Sequence, residues 1–229
     1  MGPRPLIALA VLVAALLAAA ASARPAEARI AVSFGADAFA PSAAAAAQER
    51  VATRGAGRLV VVPGKSTRSG RGPLRRYYVE VEAGIRIDRR WFARRVHQIL
   101  ADRRSWGGTG RVSFRRVGLN RTAHFRVALV TPSTTNRLCY PYITGGIYSC
   151  ANGGRAVLNL MRWRRGADAY RRNLRGYRIY LVNHEVGHLL GHGHRYCPRA
   201  GARAPVMMQQ TKGVGSCRAN PWPLGYERG

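Results

Sequence analysis

Four of the chain's six histidines fall in one short run, His184-Glu185-Val186-Gly187-His188-Leu189-Leu190-Gly191-His192-Gly193-His194. On a helix of about 3.6 residues per turn, His184 and His188 lie one turn apart on one face, so both imidazoles can reach one ion. Glu185 sits about 100° further round, placed to address a water on that ion without being a ligand. His194 is different, because an unbroken helix would carry it about 240° away from His188. The chain must therefore leave the helix between them, and Gly191 is placed to do so, since glycine takes the positive φ of a helix C-terminus without steric cost. Three histidines and a water complete a tetrahedral zinc site with one exchangeable position. His192 falls between ligand positions, but an unusual turn would let it replace His194. After Glu185 the only acidic residue is Glu227, near the C-terminus, so a histidine is expected to complete the site.

This H-E-x-x-H-x-x-G-x-x-H run resembles the signature of the metzincin metallopeptidases. The segment Ala204-Pro205-Val206-Met207-Met208-Gln209 resembles their methionine turn, with Met207 matched to the turn methionine and Met208 as second choice. The resemblance implies a twisted mixed sheet with two main helices above an active-site cleft, and a small irregular C-terminal subdomain. It also implies an extended peptide substrate paired with an edge strand, for which residues 156–160 are the candidate. A wider stretch, residues 57–229, resembles a secreted actinobacterial family of uncharacterised function with a metzincin-like core; Tyr177-Arg178 and Asn220-Pro221-Trp222-Pro223 carry that likeness. Two positions depart from the metzincin pattern: Arg195 follows the third histidine, and Gln209 stands where some subfamilies have tyrosine.

The elements that must position these residues are visible in the periodicity. Val79, Val81 and Ala83 alternate with Tyr78, Glu80 and Glu82, as in a strand. Asp88 reads as the N-cap of a helix to about Asp102, with Phe92, Val96 and Ile99 at helical spacing. Residues 112–115 and 125–129 alternate as two further strands. A cysteine-bearing loop is expected over 132–154, a short apolar run at 156–160, and a helix from about Tyr177 to Leu190. Strand, helix, strands and a second helix indicate an α+β domain.

Before this domain, residues 1–23 read as a signal peptide: Arg4, an apolar run from Leu6 to Ala20, then Ala21-Ser22-Ala23 as the cleavage site. An uncleaved anchor is the alternative, because the run approaches the roughly 20 residues that span a bilayer. Residues 24–56 read as an alanine-rich linker or a pro-segment. Export makes two disulfides the expectation for Cys139, Cys150, Cys197 and Cys217. Sequential pairing is the simplest of three connectivities, and the absence of a C-x-x-C pair argues against a Cys₄ metal site.

The formal charge is +28, with 38 basic against 10 acidic residues. Such a field favours anionic envelope polymers as partners, although the dominance of arginine over the two lysines, Lys65 and Lys212, also matches a GC-rich coding bias. Nucleic acid is not expected as a physiological partner. The expectation is a secreted or envelope-associated bacterial monomer: a zinc-dependent endopeptidase acting on a peptide or protein, with Glu185 as base. Two alternatives stand beside it: a basic zinc-bearing binding protein of the cell envelope, and a hydrolase of cell-wall amides.

Overall fold

The computed structural model describes residues 51–118 and 122–229. The expected signal peptide and most of the alanine-rich segment lie outside the described residues. Residues 51–56 already belong to the domain: Ser133 donates its amide to the Thr53 carbonyl and Ala56 to the Ala83 carbonyl.

Alternating apolar residues build a six-stranded mixed sheet from β1 (Leu59–Val61), β2 (Leu74–Glu82), β3 (Ser113–Arg116), β4 (Phe125–Val130), β5 (Cys150–Asn152) and β6 (Arg155–Asn159). The strands run in the order β1-β2-β4-β6-β5, with β3 on the N-terminal half of β2. Pairing along β2-β4-β6 is parallel, while β1 and β5 are antiparallel at the two ends. The run at 156–160, expected as the edge, is instead interior. It is β6, paired along its length with β4 and over Arg155–Val157 with β5, and the edge is the short strand Cys150–Asn152. Its continuous apolar text is what burial on both faces requires.

Four α-helices occur among the described residues: α1 (Arg89–Ala101), α2 (Pro132–Cys139), α3 (Leu160–Arg165) and α4 (Leu174–Leu189). The Asp88 side chain caps α1 by accepting from the Trp91 amide at 2.9 Å, as its position before an apolar-periodic run predicts. Phe92, Val96 and Ile99 of α1 and Val182 and Val186 of α4 pack with Tyr77, Val79, Val81, Val127 and Leu129 on one sheet face. Ala128, Val130 and Val157 point to the other face and meet Cys139 and Cys150.

Strand alternation by itself would put Glu80 and Glu82 in water. Both are buried, because α2 and the segment entering β1 cover that face. Glu80 pairs with Arg155 at 2.8 Å. Glu82 accepts from the Thr131 amide at 2.7 Å, from the Thr131 and Thr134 hydroxyls, and from the Gly57 amide. The segment 132–154, expected as a loop, therefore contains α2 and β5. Its helix carries no apolar stripe; Pro132 starts it and the Glu82 carboxylate anchors it. No helix among the described residues is long and apolar enough to cross a membrane.

Candidate metal centre

Helix α4 begins at an Asn173 cap, whose side chain accepts from the Gly176 amide. Nearly every residue from Gly176 to Gly187 is buried, so the helix runs through the core without a solvent stripe. It stops where the sequence predicts. Gly191 has φ +93; its amide bonds to the His188 carbonyl and that of His192 to the Gly187 carbonyl, both at 3.0 Å. This pair of bonds is a Schellman ending, and it redirects the chain so that His194 returns to the helix face.

His184, His188 and His194 come together there. Each offers one ring nitrogen, and these atoms lie within 4.8 Å of one another. His184 Nδ1 meets the Val206 carbonyl at 2.7 Å and His188 Nδ1 meets the His192 carbonyl at 2.9 Å. Both bonds fix the tautomer that leaves Nε2 free for a cation, the usual support of a metal-binding imidazole. Burial, with the neighbouring histidines, pushes His184 down to about 3, and burial also lowers His188 and His194. Neutral imidazoles held together in this way fit the donor set of a first-row divalent metal. His192 faces elsewhere: its ring stacks on Trp106 with centroids 4.4 Å apart.

The methionine segment forms a turn closed by Met208 donating to the Pro205 carbonyl at 3.0 Å. Met207 is fully buried. A Cβ placed on Gly187 would stand 2.4 Å from Met207 Sδ and 2.6 Å from Trp106, so only glycine lets the turn and Trp106 approach the helix between His184 and His188. The turn's amides are held by Glu227, whose carboxylate accepts from Val206, Met207 and Leu224, each at 2.9 Å. Glu227 is therefore no ligand but the anchor of the segment that orients His184. Sequence reasoning noted it as the sole late carboxylate and gave it no task.

The family described as "Protein of unknown function (DUF3152)" matches residues 46–224. The chain belongs to the DUF3152 family. No curated protein and no solved structure matches it. The DUF3152 region holds all three histidines, Glu185 and the methionine turn; Glu227 lies just beyond it.

In this DUF3152 chain the histidines open onto a cleft of about 540 Å³. Edge strand β5 and residues 142–149 form one wall, the helix and His194 the floor, and Gln209 and Lys212 the other wall. Glu185 lines the cleft and is nearly buried; that burial pushes its carboxyl up to about 8. Behind the cleft lies a polar network that periodicity could not show. Tyr180 donates to the Met208 carbonyl at 3.0 Å and accepts from the Gln210 amide at 2.9 Å. Gln210 in turn joins Tyr170, Pro205 and Asn220. Asn220 and Pro221, singled out in the sequence, thereby tie the C-terminal segment to the turn and to Asn183 of α4.

Both disulfides follow the sequential pairing, Cys139–Cys150 and Cys197–Cys217. The first clips the loop that bears the cleft's upper wall, and the second closes the segment that carries Met207. Two such bonds fit an oxidising compartment.

Proposed function

We propose that this protein is a secreted or envelope-associated zinc-dependent endopeptidase of metzincin type. One observation carries the reading: His184, His188 and His194 converge beside Glu185 in a cleft walled by β5, whose outer edge is unpaired among the described residues. His184, His188 and His194 would hold the ion. Zinc supplies Lewis acidity there, polarising a carbonyl and making a water more acidic.

The remaining work falls to the chain. The free edge of β5 offers backbone donors and acceptors to an extended peptide, which would add as an antiparallel or parallel strand. That pairing holds the scissile carbonyl over the histidines and spends binding on orientation. Glu185 takes a proton from the attacking water as its oxygen bonds to the carbonyl carbon. The same carboxyl then passes the proton to the amine nitrogen as the C–N bond breaks, so the amine leaves neutral and Glu185 returns to the carboxylate. Gln209 lines the cleft where some metzincins have tyrosine, so the role of that tyrosine toward the oxyanion is assigned to no residue here.

The test is Glu185→Gln. Glutamine preserves size but cannot accept the proton, and the three ligands are untouched. The variant is expected to keep its fold and its zinc while losing about 10²- to 10⁴-fold in turnover on a denatured-protein or peptide substrate. Wild-type turnover in a variant with full zinc removes Glu185 as base. Zinc binding by both proteins with no cleavage of any peptide favours the binding-protein reading; cleavage confined to wall fragments favours the cell-wall amide hydrolase.

A further inference from the structure

Lys212 leaves the loop after the methionine turn and reaches across the mouth of the cleft. Its Nζ lies 3.3 Å from Gln209 Oε1 on its own side and 5.3 Å from the centroid of the Tyr148 ring on the other. A second cation, Arg162, stands 6.0 Å from the same ring. Among the described residues neither has a carboxylate partner. The ion pairs among the described residues are Arg94 with Asp88, Arg104 with Asp102 and Arg155 with Glu80. Among the described residues Glu185 is the sole carboxylate lining the cleft.

Beneath Lys212 a small recess of about 40 Å³ adjoins His184 and Glu185. Its remaining walls are Tyr148, Ser149, Tyr180, Gln209, Thr211 and Lys212, and each brings a hydroxyl, amide or ammonium group. An apolar side chain pressed against them would strip water from polar groups without replacing its hydrogen bonds. Tyr180 has its proton on the Met208 carbonyl, so a short anionic group would be met by the Lys212 ammonium and the hydroxyls of Tyr148 and Ser149.

On the peptidase reading above, we propose that Lys212 recognises a carboxylate on the substrate residue flanking the scissile bond. The carboxylate is either an Asp or Glu side chain or a chain terminus, and Lys212 thereby makes this an enzyme for acidic peptides. Because Lys212 is exposed, one such contact is worth about fivefold, the upper range of exposed ion pairs.

The experiment uses the zinc-loaded protein and two readouts. In the first, kcat/KM is measured on matched peptides carrying Glu or Gln on either side of the cleaved bond, each as free acid and as C-terminal amide. In the second, binding of hydroxamate-capped dipeptides with Glu or Gln is measured by calorimetry. The wild type is expected to prefer Glu about fivefold in both. Lys212→Arg should retain the preference, Lys212→Met should abolish it, and Lys212→Glu should invert it. A preference that follows the free C-terminus alone assigns Lys212 to a terminal carboxylate; one that survives amidation assigns it to a side chain. A Glu-to-Gln ratio and a free-acid-to-amide ratio that are both unchanged in Lys212→Glu overturn the assignment even when every peptide is cut. If none is cut, the peptidase reading fails by itself, and the hydroxamates, each as free acid and as C-terminal amide, decide Lys212 alone: Glu-to-Gln and acid-to-amide ratios both near one overturn it.

Discussion

The choice between His192 and His194 as third ligand turns on one glycine. Gly191 takes a positive φ, ends α4 and sends His192 onto Trp106 while His194 folds back. His194→Ala is therefore expected to lose most of its zinc on dialysis, whereas His192→Ala retains nearly one equivalent. Metal analysis of the two variants side by side checks this, and equal loss would mean that the third ligand is misassigned. Glu227 acts one bond further out. Its carboxylate holds the Val206 and Met207 amides, and the Val206 carbonyl holds His184. Replacing such a carboxylate removes charge-assisted bonds and disturbs a ligand's support. Glu227→Gln should lower stability by about 2 kcal/mol and weaken zinc binding by about tenfold. Denaturant titration and zinc competition read the two effects separately.

Among the elements, β2 joins the two layers of the molecule through its outward side chains. Burial alone would raise the Glu82 carboxyl, but hydrogen bonds from Thr131, Gly57 and Thr134 outweigh it and hold the group below the usual carboxylate range. A carboxyl depressed in the folded state stabilises the fold above its unfolded value, near about 4.3. That contribution is lost as pH falls through the lower folded value. Glu82→Gln should cost about 1–3 kcal/mol at neutral pH by leaving donors of Thr131 or Thr134 poorly met. The variant should also show a shallower loss of stability between pH 5 and about pH 3 than the wild type, in melts recorded across that range. A mutant with the same acid slope as wild type would place the acid sensitivity elsewhere. The disulfide Cys197–Cys217 works on a different element. It spans a sequence separation of 20, and closing such a loop contributes on the order of 3 kcal/mol in a region with little regular structure to hold the methionine turn.

At the scale of the whole molecule, the centre links the two parts of the domain. His184 and His188 stand on a helix packed in the core, and His194 on the irregular segment that follows. An ion bound by all three ties that segment to the core and binds the folded chain in preference to the unfolded one. Zinc at about 100 times its dissociation constant should stabilise the fold by about 2.7 kcal/mol. For a domain of this size that corresponds to a rise of about 5–10 °C in Tm. Calorimetry of metal-free and zinc-loaded protein measures the rise, and the His194→Ala variant should show little of it. An equal rise in that variant would place the stabilising ion somewhere other than this centre.

The candidate metal centre was largely legible in the sequence, because its residues are local. H-E-x-x-H depends only on helical spacing, and Gly191 on the conformational freedom of one residue, so the three histidines, the neighbouring Glu185 and the helix ending could all be placed without a fold. The Asp88 cap, the strands read at 112–115 and 125–129, which form as Ser113–Arg116 and Phe125–Val130, and the α+β class followed from periodicity for the same reason. What the tertiary structure decided involves partners far apart in the chain. Glu227 meets Met207 and Glu82 meets Thr134 across long separations, and no spacing rule announces such pairs. The edge strand was misplaced because the apolar run of β6 says that it is buried, not which neighbour stands beside it; a three-residue edge such as β5 is too short to show a period. Lys212, unremarkable as one lysine among many cations, faces Tyr148 only because the methionine turn brings the lower wall of the cleft up to the loop that Cys139–Cys150 closes.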